Sequence, residues 1–195
     1  MSKRHPSRIV TGPYEPLREL QRYGMIVSVP SALDASVRGV SIANLKQLLV
    51  DTLTLRDLYN THHWHVSGPT LYQLHRLFDK HLDEQSGLVD FIAGRIQSLG
   101  GVSIAMTREV TEMTLIPRPP RGRDDDAVRI ARLLRAHEIV LKEARATARQ
   151  TAAAGDGGTN DLLVSDVIPT NERQVWFVGE HLAGTPLIAN EHEPA

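Results

Sequence analysis

Several common features are scarce or missing in this sequence, and each absence narrows the class of protein. The 195 residues include no cysteine, which excludes disulfides, zinc ribbons, iron–sulfur clusters and thiolate catalysis. Lysine and arginine total 22 against 23 aspartate and glutamate residues, so the net charge of −1 gives no global argument for nucleic-acid binding. Any metal site must use histidine, aspartate and glutamate, which suit iron, manganese or zinc.

Long apolar runs are also missing. No stretch of about 18 apolar residues occurs, and none follows the basic residues of the N-terminal MSKRHPSRIV. We therefore expect neither a membrane span nor a signal peptide, and a location in the cytoplasm, or at the nucleoid if DNA is bound. With 41% hydrophobic residues, the chain can bury one sizeable core.

Helical periodicity is present over most of the chain. Apolar residues at three- and four-residue spacing predict a first helix over residues 41 to 66 and a second over residues 69 to 99. A third is predicted from near residue 124 to 154. A fourth is predicted over residues 160 to 182, with Pro169 either kinking it or marking a late start. His137 lies in the apolar stripe of the third helix and is expected to be a core histidine.

The connections between these helices predict the topology. Residues 1 to 38 contain several prolines and glycines and are expected to form an extended arm, residues 39 to 185 the bundle, and residues 186 to 195 a tail. Residues 102 to 123 form a long crossover with a short helix over residues 104 to 113. The first and second helices are joined by a short turn, the second and third by the long crossover, and the third and fourth by a short loop. This order of connections predicts an all-α, ferritin-like four-helix bundle.

The residues with metal-binding chemistry are concentrated near the first turn between helices. Three of the nine histidines, His62, His63 and His65, lie within four positions. His75 and Asp79 are four residues apart on the second helix, so both point to the same face and could share a metal ion. An ordinary solvated pair on a helix surface is the alternative.

Asp90 lies on the same helix face, eleven residues beyond Asp79. That separation is roughly 16 Å along the axis, too far for one chain to bring both carboxylates to one ion. A two-fold neighbour with this helix antiparallel could place Asp90 beside His75 and Asp79 of the other subunit. A di-iron site within one bundle needs Glu-x-x-His pairs, and the sequence has none.

Longer segments resemble the Dps family of mini-ferritins. The segments that carry the resemblance are Asp51-Thr52-Leu53, His63-Trp64-His65-Val66-Ser67-Gly68-Pro69, Leu74-His75-Arg76-Leu77-Phe78-Asp79, Val89-Asp90-Phe91-Ile92-Ala93-Gly94-Arg95-Ile96, Leu99-Gly100-Gly101, Glu172 and Trp176. The resemblance covers roughly residues 40 to 185, in family order and at family spacing.

The resemblance implies a dodecameric shell with ferroxidase centres at its two-fold interfaces. His63, His75 and Asp79 would be ligands from one subunit and Asp90 a ligand from its neighbour, forming a di-iron or mono-iron centre. Trp64 would pack near this centre, and His62 would also lie near it. The implied chemistry is oxidation of Fe²⁺, preferably by hydrogen peroxide, followed by storage of ferric mineral and protection from oxidative stress.

Gly94 departs from the family pattern, which normally has a glutamate iron ligand at that position. Three interpretations remain open: the site works but is weakened, another ligand such as His62, His65 or water substitutes, or the ferroxidase function is degenerate. In the last case the protein would be a DNA-binding or passive metal-binding shell.

Two further sets of residues follow from the resemblance. Acidic pores at three-fold axes would be lined by Asp161 with Asp156 or Asp166, although Asp156 also suits a glycine-rich turn and Asp161 the first turn of a helix. The resemblance leaves open whether DNA binds through a basic tail, for which the candidates are Lys3, Arg4 and Arg8.

Overall fold

The computed structural model describes residues 20–104 and 106–182, and this part of the chain is helical and contains no strand. The helices are α1 (Ala35–His65), α2 (Leu71–Ser98), α3 (Thr107–Met113), α4 (Asp126–Ala153), α5 (Gly157–Asp161) and α6 (Ile168–Glu180), with a π-helical segment (Leu162–Val167) joining α5 to α6. Helix α1 packs against α2 and α4, and α4 packs against α6. The predicted all-α bundle is confirmed. None of these helices is both long and apolar enough to cross a membrane.

The first helix begins earlier than its apolar pattern predicts. It starts at Ala35, six residues before Ser41 and inside the range assigned to the arm. The periodicity fails here because the buried residues are polar: Arg38 is 6% exposed and Ser41 1%. Arg38 Nη1 donates hydrogen bonds to the carbonyl oxygens of Val27 and Leu99, at 2.8 and 3.0 Å, which ties residues before α1 to the end of α2.

The turn between α1 and α2 positions the candidate metal ligands. Helix α1 ends at His65, and Gly68 adopts a φ of +82°, a conformation that favours glycine. Helix α2 begins at Leu71, two residues after the predicted start at Pro69. The turn therefore brings the last turn of α1 beside the first turns of α2.

The crossover is anchored to α1 by a buried carboxylate. Asp51 is fully buried and accepts hydrogen bonds at 2.7 Å from both the Thr114 hydroxyl and the Leu115 amide, as well as one from Gln47 at 2.8 Å. The short helix α3 spans Thr107–Met113, three residues shorter at its start than predicted.

The last helical run contains Pro169 without breaking. It begins at Gly157 rather than at residue 160, and it passes through the π-helical segment before α6. There the Ile168 amide donates to the carbonyl of Leu163, five residues back. Within an α-helix, proline lacks an amide hydrogen and crowds the carbonyl group four residues earlier. Here the wider π turn precedes Pro169, which lies in the first turn of α6.

The core lies between the long helices and has a polar centre. Its apolar part includes Leu45, Leu48, Leu55, Phe78 and Leu133, each at most 1% exposed. His137 is also fully buried, and both of its ring nitrogens are hydrogen-bonded, as expected for a core histidine.

Candidate metal centre

His63 and His75 face each other where α1 ends and α2 begins. Their ring centroids are 3.7 Å apart with an interplanar angle of 29°. Nδ1 of His63 lies 3.3 Å from the carbonyl oxygen of His75, and Nδ1 of His75 lies 3.2 Å from the carbonyl oxygen of His63. The two residues therefore hold each other through a reciprocal pair of hydrogen bonds.

This arrangement assigns the tautomer of both rings. A carbonyl oxygen only accepts hydrogen bonds, so each Nδ1 carries the proton. In a neutral imidazole the lone pair then lies on Nε2, the atom left to bind a metal ion. Metal-binding histidines are usually oriented in this way, with the other ring nitrogen donating to a carbonyl or carboxylate. The two residues thus fit iron as a ligand pair.

The carboxylates extend along α2 instead of gathering around the two histidines. Asp79 lies one helical turn beyond His75, and its half-exposed side chain is 3.9 Å from Arg76 Nη1. Asp90 is exposed, eleven residues further on. Within residues 20–104 and 106–182, no three His, Asp or Glu side chains of one chain form a group that could hold a metal ion. One subunit brings together His63 and His75 and leaves Asp90 apart.

Trp64 follows the first candidate ligand and lies on the surface of the single chain. Its side chain is 66% exposed, so core packing within one subunit does not explain it. Trp176, which also carried the family resemblance, is 61% exposed and stacks on Phe177 at a centroid distance of 5.0 Å. Both tryptophans are available to a neighbouring molecule.

His62 does not join the candidate ligands. Its ring is only 3% exposed and lines a cavity together with Arg129 and Arg132 of α4. Burial, and then the charges of Arg132 and Arg129, lower its pKa to about 4. The ring of His62 therefore lies beside the first turns of α4, apart from the stacked rings of His63 and His75, and its role as a substitute ligand stays a prediction. His65 lines the same cavity.

The space beside Gly94 is open. A Cβ atom added to Gly94 would meet no heavy atom within 4 Å. The glycine lines a shallow groove of about 360 Å³ with Phe91, Ser98, Leu162 and Asp166. A Cβ atom at this position would therefore displace nothing, and the only carboxylate lining the groove is that of Asp166.

The three pore candidates have different environments. Asp156 is fully buried and accepts hydrogen bonds from Ser41, Arg95 and Thr159. Burial alone would raise its pKa, but these hydrogen bonds outweigh that effect and lower it. The structure therefore removes Asp156 from the pore candidates and makes it the N-cap of α5. Asp161 and Asp166 are exposed.

The candidate DNA-binding residues Lys3, Arg4 and Arg8 lie outside the described residues. Their role remains a prediction from the sequence.

The sequence interpretation missed one buried group, Tyr59, and one partly buried group, Glu143. Tyr59 lies one turn before His63 on α1, and its hydroxyl is hydrogen-bonded to His137. Glu143 lies beside Asp51, and burial, followed by the Asp51 charge, raises its pKa to about 8. Tyr59 could have been found from the sequence, because it lies one helical turn before the candidate ligand His63. The contact between Asp51 and Glu143 could not, because the two residues are distant in sequence.

Comparisons with known proteins agree with this architecture. A family model described as a ferritin-like domain matches residues 42–188. The bundle and this match together define a ferritin-like protein. The solved structure of DpsC from Streptomyces coelicolor has 48% sequence identity and a TM-score of 0.84, covering 88% of this chain and 99% of that one. The chain belongs to the Dps family.

Two curated relatives extend the comparison. A protein described by its position in the bpoA2 5′ region of Kitasatospora aureofaciens is 44% identical over 138 residues, covering 71% of this chain and 92% of that protein. The nutrient stress-induced DNA-binding protein of a Nostoc species is 29% identical over 176 residues, covering 90% of this chain and 95% of that protein. The predicted family is confirmed over nearly the full length of these relatives.

Proposed function

We propose that the protein oxidises Fe²⁺ and stores ferric iron, and thereby protects the cell against peroxide. The observation that carries this proposal is the reciprocal hydrogen bonding of His63 and His75, which leaves both Nε2 atoms free for a metal ion. Ferroxidase chemistry needs such preoriented ligands together with open coordination positions for the oxidant.

The centre is completed at a two-fold interface between subunits. Asp79 joins the two histidines from one subunit, and Asp90 reaches the same iron from the neighbour. Large apolar side chains around this surface support an interface, since Trp64, Tyr72 and Phe91 are 66%, 73% and 56% exposed in the single chain. We propose a closed dodecameric shell, whose mass light scattering would measure directly.

In the proposed reaction, two Fe²⁺ ions each lose one electron to hydrogen peroxide. The peroxide takes up both electrons and two protons and yields two molecules of water. Ferric iron then collects as mineral within the shell, and Asp161 and Asp166 are the exposed carboxylates available to guide iron inward. The location we propose is the cytoplasm.

Stopped-flow oxidation of Fe²⁺ by peroxide tests the centre. We expect the His63→Ala/His75→Ala double variant to oxidise iron no faster than the uncatalysed reaction. A His181→Ala variant removes a histidine outside the proposed centre and serves as the control, which should retain the parent rate. Equal rates in the parent and in the His63→Ala/His75→Ala variant would show that the centre lies elsewhere.

A second candidate function is a DNA-binding shell with little ferroxidase activity, associated with the nucleoid. Gly94 supports it, because the groove around this residue lacks the carboxylate of the family pattern. The Nostoc relative described as DNA-binding also supports it. This candidate predicts a DNA mobility shift that is lost when residues 1 to 10 are deleted and that weakens with salt. A shift that survives the deletion would exclude Lys3, Arg4 and Arg8 as the contacts.

A further inference from the structure

A cavity at one end of the bundle is distinct from the candidate metal centre. It has a volume of about 310 Å³ and lies between the last turn of α1, the loop before α4 and the first turns of α4. His62 lines it, whereas the neighbouring His63 stacks on His75 of α2. The charged side chains of its lining are Arg118, Arg121, Arg129, Arg132 and Asp124.

The cavity has an excess of positive charge. Four arginines line it against one aspartate, and Arg132 is paired with that aspartate, Asp124, at 2.7 Å. Arg129 is paired with Asp126 and also donates to the carbonyl oxygen of His65 at 2.9 Å. Arg118 and Arg121 form no ion pair with another residue of the described chain. Their charges remain available to an anion.

The wall of the cavity contains a buried hydrogen-bonding group without a partner. His62 is 3% exposed, and neither its Nδ1 nor its Nε2 has a hydrogen-bond partner among the described residues. Buried polar side-chain atoms are nearly always hydrogen-bonded to protein, water or a ligand, so an unpartnered imidazole at a cavity wall offers a hydrogen bond to whatever fills the cavity. A neutral imidazole offers one N–H donor to such a ligand.

We propose that this cavity binds a small phosphate group, contacted by the guanidinium groups of Arg118 and Arg121 and by the ring of His62. Guanidinium groups present paired N–H donors that match phosphate oxygens. At about 30 Å³ per water molecule, the cavity corresponds to roughly ten waters, enough for a phosphate ion with part of its hydration shell. Inorganic phosphate and the terminal phosphate of a nucleotide are the two sources of this chemistry.

The burial of His62 favours a small ligand over a nucleic-acid duplex. Pro119 and Pro120 of the loop also line the cavity. The imidazole of His62, at 3% exposure, lies at its inner wall. A backbone phosphate of a duplex is flanked by sugars and neighbouring phosphates, which would have to enter the cavity before that phosphate reached His62. A free anion meets no such obstacle.

Isothermal titration calorimetry of the full-length, iron-free protein tests the proposal. Inorganic phosphate and ADP are titrated separately at constant ionic strength. We expect saturable binding of at least one of them. Binding should weaken at least about tenfold in an Arg118→Gln/Arg121→Gln variant, which loses charge-assisted hydrogen bonds. An Arg108→Gln/Arg135→Gln variant removes the same charge from exposed pairs elsewhere and should bind as the parent does.

The remaining outcomes distinguish inorganic phosphate from a nucleotide as the source of the phosphate group, and a small ligand from a nucleic-acid duplex. Binding of ADP without binding of inorganic phosphate would assign the site to a nucleotide, and binding of both would assign it to the phosphate group itself. The proposal is overturned if neither ligand binds, or if both double variants bind equally well. Duplex DNA is titrated in the same way, and the proposal is also overturned if only the DNA binds. A His62→Phe variant should likewise weaken binding, and because no iron is present the result is independent of the ferroxidase centre.

Discussion

The hydroxyl oxygen of Tyr59 lies 2.6 Å from Nε2 of His137 at the fully buried centre of the bundle. Asn171 donates from its amide to Val167, so its Oδ1 accepts from Nδ1 of His137 at 2.9 Å. Nε2 of His137 must then accept the Tyr59 proton. Nδ1 of His81, at 3.1 Å, donates to the same hydroxyl. One directed chain of hydrogen bonds therefore joins four helices.

Removing the Tyr59 hydroxyl should destabilise the bundle. A Tyr59→Phe variant leaves Nε2 of His137 and Nδ1 of His81 buried without partners, at a cost of about 1–3 kcal/mol in the free energy of unfolding. Urea denaturation measures this change. Tyr23→Phe, at a tyrosine that is 57% exposed, is the control and should have no measurable effect. Equal midpoints for the two variants would contradict the hydrogen-bond chain.

The stability of the protein should depend on pH through His137. Burial lowers the pKa of His137 to about 4, and the hydrogen bond to Asn171 offsets only part of that effect. Between pH 6.5 and 4 the unfolded chain binds a proton that the native state excludes. The free energy of unfolding should therefore fall as the pH decreases through this window, by up to about 1.4 kcal/mol per pH unit for this group.

Denaturation curves recorded from pH 7.5 to 4 measure this dependence. Above pH 6.5 the contribution of His137 should be complete and constant. A His137→Gln variant should show a shallower decline, whereas His181→Ala should follow the parent. An unchanged slope in the His137→Gln variant would assign the pH dependence to other groups.

Restoring a carboxylate at position 94 should increase the rate of iron oxidation. Gly94→Glu adds a possible ligand one turn from Asp90, and the open space around Gly94 accommodates it. We expect an increase of about tenfold, in the range found when groups around a metal site are changed. Gly87→Glu is the matched control, because Gly87 lies on the same helix and is equally unobstructed. A similar increase in both variants would indicate a general effect of negative charge.

Asp156 and Asp161 should have separable roles. Asp156→Ala removes the buried acceptor of Arg95 and should lower the free energy of unfolding by on the order of 3 kcal/mol. Asp161→Asn should leave stability within about 0.5 kcal/mol and slow the initial formation of ferric mineral. Thermal denaturation and absorbance of the growing mineral measure the two effects. A stable Asp156→Ala variant would contradict the structural role.

Glu143 should lower stability at alkaline pH. Burial, followed by repulsion from Asp51, raises its pKa to about 8, above its ordinary value near 4.5. The native state holds a proton that the unfolded chain has already lost between these values, so stability falls as the pH rises through this window. Glu143→Gln removes this dependence. The variant should be more stable than the parent at pH 8.5 and equal to it at pH 4.5.

The sequence predicted the long helices because apolar periodicity follows helix geometry. It failed at residues 35 to 40, where the buried side chain is Arg38 rather than an apolar residue. The pair of His63 and His75 was predicted from residue type and family spacing. Their reciprocal bonds depend on how α1 meets α2, which no local pattern specifies.

Helix geometry alone could have separated His62 from His63. Adjacent residues on an α-helix point about 100° apart, so the side chains of His62 and His63 leave α1 in different directions. The burial of Asp156 was harder to foresee, because its partners Ser41 and Arg95 are distant in sequence.

The π-helical segment at Leu162–Val167 has a consequence for the evolution of this helix. A π turn holds one residue more than an α turn, so the segment corresponds to a single-residue insertion. A relative without it would align with a one-residue gap near this point. Deleting one residue here would restore the α-helical repeat and leave Asn171 and Gln174 of α6 facing the hydrogen-bonded centre. The π turn therefore accommodates one extra residue without changing the register of the polar core.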